Sequence, residues 1–236
     1  MRRCSALLLL GLALWSGPAS AQKVKVKQYS LTVSIHPSVH PSLKQKEIEN
    51  ILKGASDILQ GHTNITPHNN CKVEFKFKGF VPFPADAPAD VKNLDDLEAV
   101  HKIPADVKVV QSITFCAPGN RVDGYAGCAW RPELNLPRTV IVARSKFLPG
   151  LSSPRGGGIG PVIWAHEFGH TTGVLHRFQD GLTGSDNLMT PCDLQAFSQP
   201  ITDDECTHFR TGPATSFPSA SGDTCPANRA VRHLTD

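Results

Sequence analysis

Five residues within one short stretch limit what this chain can fold into: His166, Glu167, His170, Gly173 and His176. On an α-helix, positions i and i+4 lie one above the other on the same face. A helix opening near Pro161 therefore presents His166 and His170 side by side, and two imidazole nitrogens so placed can share one ion at about 2.0–2.1 Å. Glu167 is displaced around the helix from its neighbour. It can reach a metal-bound water without taking a coordination position, as a general base requires. His176 cannot join the pair from a straight continuation of the helix, because it would project away from the ion. Gly173 answers this, since glycine tolerates the positive φ that ends a helix and turns the chain back. Three neutral histidines leave a fourth position for water, the pattern of a catalytic zinc site. The spacing thus predicts one catalytic Zn2+ held by His166, His170 and His176, with Glu167 as the catalytic carboxylate.

This pattern resembles the signature of the metzincin clan of zinc endopeptidases, a zinc-binding helix of this spacing followed by a methionine-containing turn. Without its first 21 residues the chain keeps one methionine, Met189, in Ser185-Asp186-Asn187-Leu188-Met189-Thr190-Pro191. That segment is similar to the clan's Met-turn. The likeness implies a hydrophobic floor under the three imidazoles, with Gly173 and Met189 as structural support. The implied fold is an α+β metzincin-like catalytic domain. It has a twisted mixed sheet with two long helices in an upper subdomain and a small, irregular C-terminal lower subdomain. An edge strand around residues 124–129 would bind an extended substrate through main-chain hydrogen bonds, and Thr190 and Pro191 would wall the pocket for the side chain after the scissile bond.

The implied activity is that of a secreted zinc-dependent endopeptidase acting on a protein or peptide substrate. The residue after the third histidine is Arg177, and no tyrosine follows Met189, which leaves the family within the clan unassigned. Two alternatives use the same residues: a zinc amidase or deacylase acting on a non-protein amide, and a non-catalytic binding module with a vestigial metal site. The intact Glu167 argues against the second.

The rest of the chain reads as one domain. Tyr29, Leu31, Val33 and Ile35 alternate with polar residues, as does the run Val73, Phe75, Phe77, and both predict half-buried strands. Ile48, Ile51, Leu52, Ala55, Ile58 and Leu59 recur at helical spacing between a Ser42/Gln45 capping box and a stop at Gly61. A short helix over 94–100, strands over 107–115 and 138–143, and a helix opened by the Thr202/Glu205 capping box complete the pattern. Gly156-Gly157-Gly158-Ile159-Gly160 lacks the Lys-Ser/Thr pair of a phosphate loop and reads as a connection into the zinc-binding helix. Asp123-Gly124 and Asp180-Gly181 invite calcium, but plain turns account for them. The upper subdomain is expected over about 22–173, the lower over about 174–210, and a Ser/Pro/Thr-rich tail over 211–236.

Arg2 and Arg3, an apolar run from Ala6 to Trp15, and Ala19-Ser20-Ala21 form the three parts of a secretory signal peptide cleaved after Ala21. The run is too short to cross a bilayer as a stable helix, so the destination is secreted, periplasmic or extracellular. Cleavage takes two of the 24 basic residues, leaving 22 against 21 acidic ones. A charge that small gives no reason to expect nucleic acid or a membrane surface as partner; a monomer is expected. Cleavage also removes Cys4, and the six remaining cysteines fit a disulfide framework in an exported chain. Local pairs Cys116–Cys128 and Cys192–Cys206 would leave Cys71–Cys225 as a clasp across the chain.

Overall fold

The computed structural model describes residues 25–39, 43–61, 70–117, 120–121, 125–129, 139–143, 159–174, 176, 188–189 and 201–212. In chain order the elements are β1 (Lys27–Ile35), α1 (Gln45–Leu59), β2 (Val73–Phe80), β3 (Asp90–Val91), α2 (Leu94–His101), β4 (Val107–Val110), β5 (Ser112–Ile113), β6 (Phe115–Ala117), β7 (Asn120–Arg121), β8 (Gly127–Ala129), β9 (Val140–Ala143), α3 (Ile159–Thr171) and α4 (Asp203–Thr211). The main sheet runs in the order β2-β1-β4-β9-β8. Its first four strands are parallel, and β8 alone lies antiparallel, against β9. The result is the mixed sheet with few helices that the sequence leads one to expect.

Period-2 alternation sorts the side chains of this sheet into two cores. Val107 and Val109 of β4 and Val140 and Val142 of β9 enter one core with Ile48, Leu52 and Leu59 of α1 and Ile163 and Phe168 of α3. Val110 and Ile141 enter the other, with Leu97 and Val100 of α2, Val91 and Ile113. Both faces of the central strands are therefore covered, as parallel strands require. The expected strand over 107–115 is interrupted. The chain leaves the sheet after Val110; Gln111 N donates to Ala89 O (2.7 Å), and β5 pairs with β3 instead. The cap of α1 also differs from the Ser42/Gln45 expectation. The helix begins at Gln45, and the Lys44 N–H donates to the Glu47 carboxylate (2.8 Å). The Thr202/Glu205 box at α4 forms as read, with reciprocal bonds of 2.7 and 3.1 Å.

Among the described residues the disulfides are Cys116–Cys128 and Cys71–Cys206. The first is the expected local pair. The second corrects the expectation of Cys71–Cys225 and Cys192–Cys206. Helix α4 sends Cys206 and Phe209 into the first core, which brings Cys206 beside Cys71, two residues before β2. The Tyr29 hydroxyl, whose pKa burial pushes up to about 12, donates to the carbonyl of Phe209 (2.8 Å) on the same helix. Cys192, Cys225, residues 1–21, Gly156–Gly158 of the glycine-rich run and the tail beyond residue 212 lie outside the described residues, while Ile159 and Gly160 open α3. Among the described residues no helix is long and apolar enough to cross a membrane. Peptide mapping without reduction should recover the Cys71–Cys206 and Cys116–Cys128 crosslinks. Closing a loop of 135 residues contributes about 2–5 kcal/mol, so Cys71→Ser combined with Cys206→Ser should lower the urea midpoint.

One position breaks the apolar pattern of the second core. Lys108 faces it between Val107 and Val109, opposite Ser34 of β1, and is fully buried. Among the described residues, Lys108 Nζ, Ser34 Oγ and the Nε2 of buried His101 have no hydrogen-bond partner, while His101 Nδ1 lies 2.8 Å from the Thr139 hydroxyl. Burial pulls the Lys108 ammonium down to about 7, against the opposing pull of Asp106. Burial, reinforced by the Lys108 charge, holds His101 down to about 3. With both pKa values depressed, the unfolded chain binds these protons more tightly than the folded one, so stability rises with pH. For His101 it is lost as pH falls from 6.5 towards 3, and for Lys108 as pH falls from 10.5 towards 7. Urea unfolding followed against pH should show both slopes. Lys108→Met should flatten the upper one and add on the order of a few kcal/mol at pH 7, because no charge is then buried alone.

Candidate metal centre

Helix α3 is buried almost all round, held between the sheet, α1 and α4. Its last two turns carry His166, Glu167 and His170, and the way it ends is set by Gly173. The Gly173 N–H donates to the His170 carbonyl (3.0 Å) and the Val174 N–H to the Gly169 carbonyl (3.1 Å). This is the Schellman arrangement, with Gly173 left-handed at φ 91. The turn aims the Val174 carbonyl back at the helix, where it accepts from His170 Nδ1 (2.8 Å). His176 then lies with its Nε2 3.0 Å from that of His170.

The carbonyls decide what these rings can do. His166 Nδ1 lies 2.7 Å from the Leu188 carbonyl, and a carbonyl only accepts, so the ring proton of His166 is on Nδ1. The same holds for His170 and Val174. In the neutral rings both Nε2 atoms therefore present lone pairs, and they face each other at 3.1 Å. Two acceptors cannot hydrogen-bond, but they can share a cation. A tetrahedral ion at about 2.0–2.1 Å from each nitrogen separates its ligands by about 3.3 Å, close to the spacings here. One ligand nitrogen from each of the three histidines lies within 4.8 Å of those of the other two. Burial pushes His166 down to about 4, which keeps it a neutral donor well into acid. The donor set fits a metal ion.

Met189 is buried beneath the helix at Gly169. A Cβ at that glycine would come within 2.8 Å of Met189 Sδ and 2.9 Å of Phe209 Cζ, so the missing side chain lets the methionine turn and α4 close against the ligand-bearing face. Glu167, 7% exposed, lies on the side of α3 towards β8. That strand is the outermost of the described main sheet. Its span, Gly127–Ala129, falls at the end of the stretch expected for the edge strand. Thr190, Pro191 and Arg177, the Asp123-Gly124 and Asp180-Gly181 turns and the remaining Met-turn residues except Leu188 and Met189 lie outside the described residues.

Sequence reasoning missed the orienting carbonyls of Leu188 and Val174, which leave no trace in residue type. It also missed Gly127 and Gly169. A glycine inside a strand is a signal for close backbone approach, and Gly127 carried it.

No family model and no curated protein matches the chain. Among solved structures the chain is similar to mature mirolysin of Tannerella forsythia, solved in complex with a cleaved peptide. Identity is 11% and the TM-score 0.52, over 79% of this chain and 91% of that one. It is also similar to metalloproteinase-II of Bacteroides fragilis, at 11% identity and a TM-score of 0.44, over 81% of this chain and 54% of that one. The mirolysin likeness shows the fold, an α+β architecture on a mixed sheet as the sequence leads one to expect.

Gly173 gives a direct test of how the helix end is built. Gly173→Ala forces a Cβ into left-handed backbone and should cost about 1–2 kcal/mol in urea unfolding, whereas Gly173→Asn, whose side chain tolerates that region, should cost less.

Proposed function

We propose that this chain is a secreted zinc-dependent endopeptidase, in which His166, His170 and His176 hold Zn2+ and Glu167 is the general base. The observation that carries the reading is the pair of carbonyl-oriented imidazoles whose Nε2 lone pairs converge one residue from a buried carboxylate. Three neutral nitrogen donors suit zinc better than calcium or magnesium, which take oxygen ligands. A zinc ion held there supplies Lewis acidity, lowering the pKa of a water and polarising the carbonyl under attack.

The chain's own residues do the rest. The Leu188 and Val174 carbonyls keep the proton of each of two rings on Nδ1, so that Nε2 stays a ligand. Glu167 takes the proton of the attacking water and returns it to the leaving amine. Gly173 turns the backbone so that the third ligand comes from beyond the helix, and Met189 supports the ligand-bearing face from below.

The outer edge of β8 suits an extended polypeptide, because main-chain groups on a terminal strand can pair with another backbone. The peptide bound to mirolysin supports the choice of a peptide substrate. Export is supported by the basic, apolar and small-residue order of residues 1–21 and by the two disulfides. The division into an upper and a lower subdomain near residue 173 belongs to the same reading, since the substrate cleft would run between them.

Glu167→Gln keeps the size and polarity of the side chain while removing the base. Zinc content measured by elemental analysis should stay near one per chain, and cleavage of casein or a quenched peptide should fall by about 10²–10⁴ or more. Undiminished turnover in that variant would exclude Glu167 as the base.

A further inference from the structure

Gly127, the first residue of β8, has no backbone reason to be glycine. It pairs regularly with Val142 across the sheet and is absent from the residues with positive φ. What it supplies is space. A Cβ built at Gly127 would fall 2.5 Å from both Cγ and Oε1 of Glu167 and 2.7 Å from its Cδ. No real Cβ makes contacts that short.

We propose that Gly127 is a positioning residue for the Glu167 carboxylate: the bare backbone of the edge strand forms the wall against which the carboxylate rests. This rests on the reading of Glu167 as the base. The strand cannot retreat to make room. Cys128, the next residue, is buried, bonded to Cys116 and paired with Ile141, so β8 is fastened to the second core on the face away from α3. On the other side, α3 is packed against β8 and β9. The group that can yield is the end of the glutamate side chain. A methyl group at position 127 therefore moves the carboxylate and leaves the fold as it was.

Restoring an ordinary contact of 3.4 Å from 2.5 Å asks for a displacement of about 1 Å, and a misplacement of that size in a catalytic constellation can cost about 10²-fold. The same wall limits substrate. A side chain at position 127 would project towards the carboxylate that faces the reacting bond, so the edge strand can lie close to a bound main chain only where it carries none.

The experiment compares wild type, Gly127→Ala, Glu167→Ala and the double variant. Gly127→Ala should keep its zinc and its urea midpoint, while kcat for a quenched peptide falls by about 10²-fold and KM changes little. Alanine at position 167 lacks Cγ and the carboxylate and so vacates the crowded volume; in the Glu167→Ala background, Gly127→Ala should therefore lower the residual turnover less than about threefold. That non-additivity is the mark of direct contact between the two residues. A crystal structure of zinc-loaded Gly127→Ala should show the carboxylate displaced by about 1 Å with the histidines in place.

Full activity in Gly127→Ala, equal losses in the two backgrounds, an unmoved carboxylate or a collapsed urea midpoint would each overturn the proposal. If wild type binds zinc but cleaves no peptide, while the carboxylate still shifts in the crystal, the positioning holds and the peptidase reading falls.

Discussion

Everything at the candidate site depends on two hydrogen bonds that a side-chain description would overlook. Main-chain carbonyls of Leu188 and Val174 take the Nδ1 protons of His166 and His170. Each bond settles a tautomer, and once both are settled the two Nε2 lone pairs point at each other across 3.1 Å. Left alone, that arrangement is repulsive; with a cation between the rings it becomes a ligand set. The two carbonyls come from places that only a folded chain brings together, one from the turn that ends α3 and the other from the methionine turn.

The surrounding fold serves to hold those carbonyls still. Helix α3 lies on the sheet beside α1, and its histidine-bearing end is closed from below by Met189 and Phe209 at Gly169. Phe209 is brought there by α4, which is fastened to the start of β2 by Cys71–Cys206 and to β1 by the Tyr29 hydroxyl. The second core, with Cys116–Cys128 inside it, fixes β8 from the opposite side of the sheet. The two disulfides thus brace the two sides of the same helix. Lys108, buried in that second core without a hydrogen-bond partner among the described residues, places a charge that depends on pH beneath the strand next to β9.

How much of this could be read from the sequence follows from how local each signal is. The spacing of His166 and His170 and the glycine at 173 act within one helix and its end, and α3 and its Schellman turn were legible for that reason. The alternation in β1 and β2 and the Thr202/Glu205 box are similarly local. Cys71–Cys206 was misread because nearness in sequence suggested Cys192–Cys206, whereas the pairing depends on where α4 packs. The strand expected over 107–115 broke at Gln111 because the Pro/Ala/Asp-rich stretch before α2, which has no periodicity of its own, returns to pair with it. The orienting carbonyls were invisible, since every residue carries one. Gly127 was visible as a glycine in a strand, but its meaning required knowing that Glu167 lay opposite.

The central claim is that three Nε2 atoms form one metal site, and anomalous diffraction at the zinc absorption edge tests it most directly. Crystals of the zinc-supplied protein should give one strong peak, about 2.0–2.1 Å from Nε2 of His166, His170 and His176, with the Nδ1 atoms of the first two still on the Leu188 and Val174 carbonyls. A peak elsewhere, or none in a correctly folded, zinc-supplied protein, would contradict the account of the site from its first step.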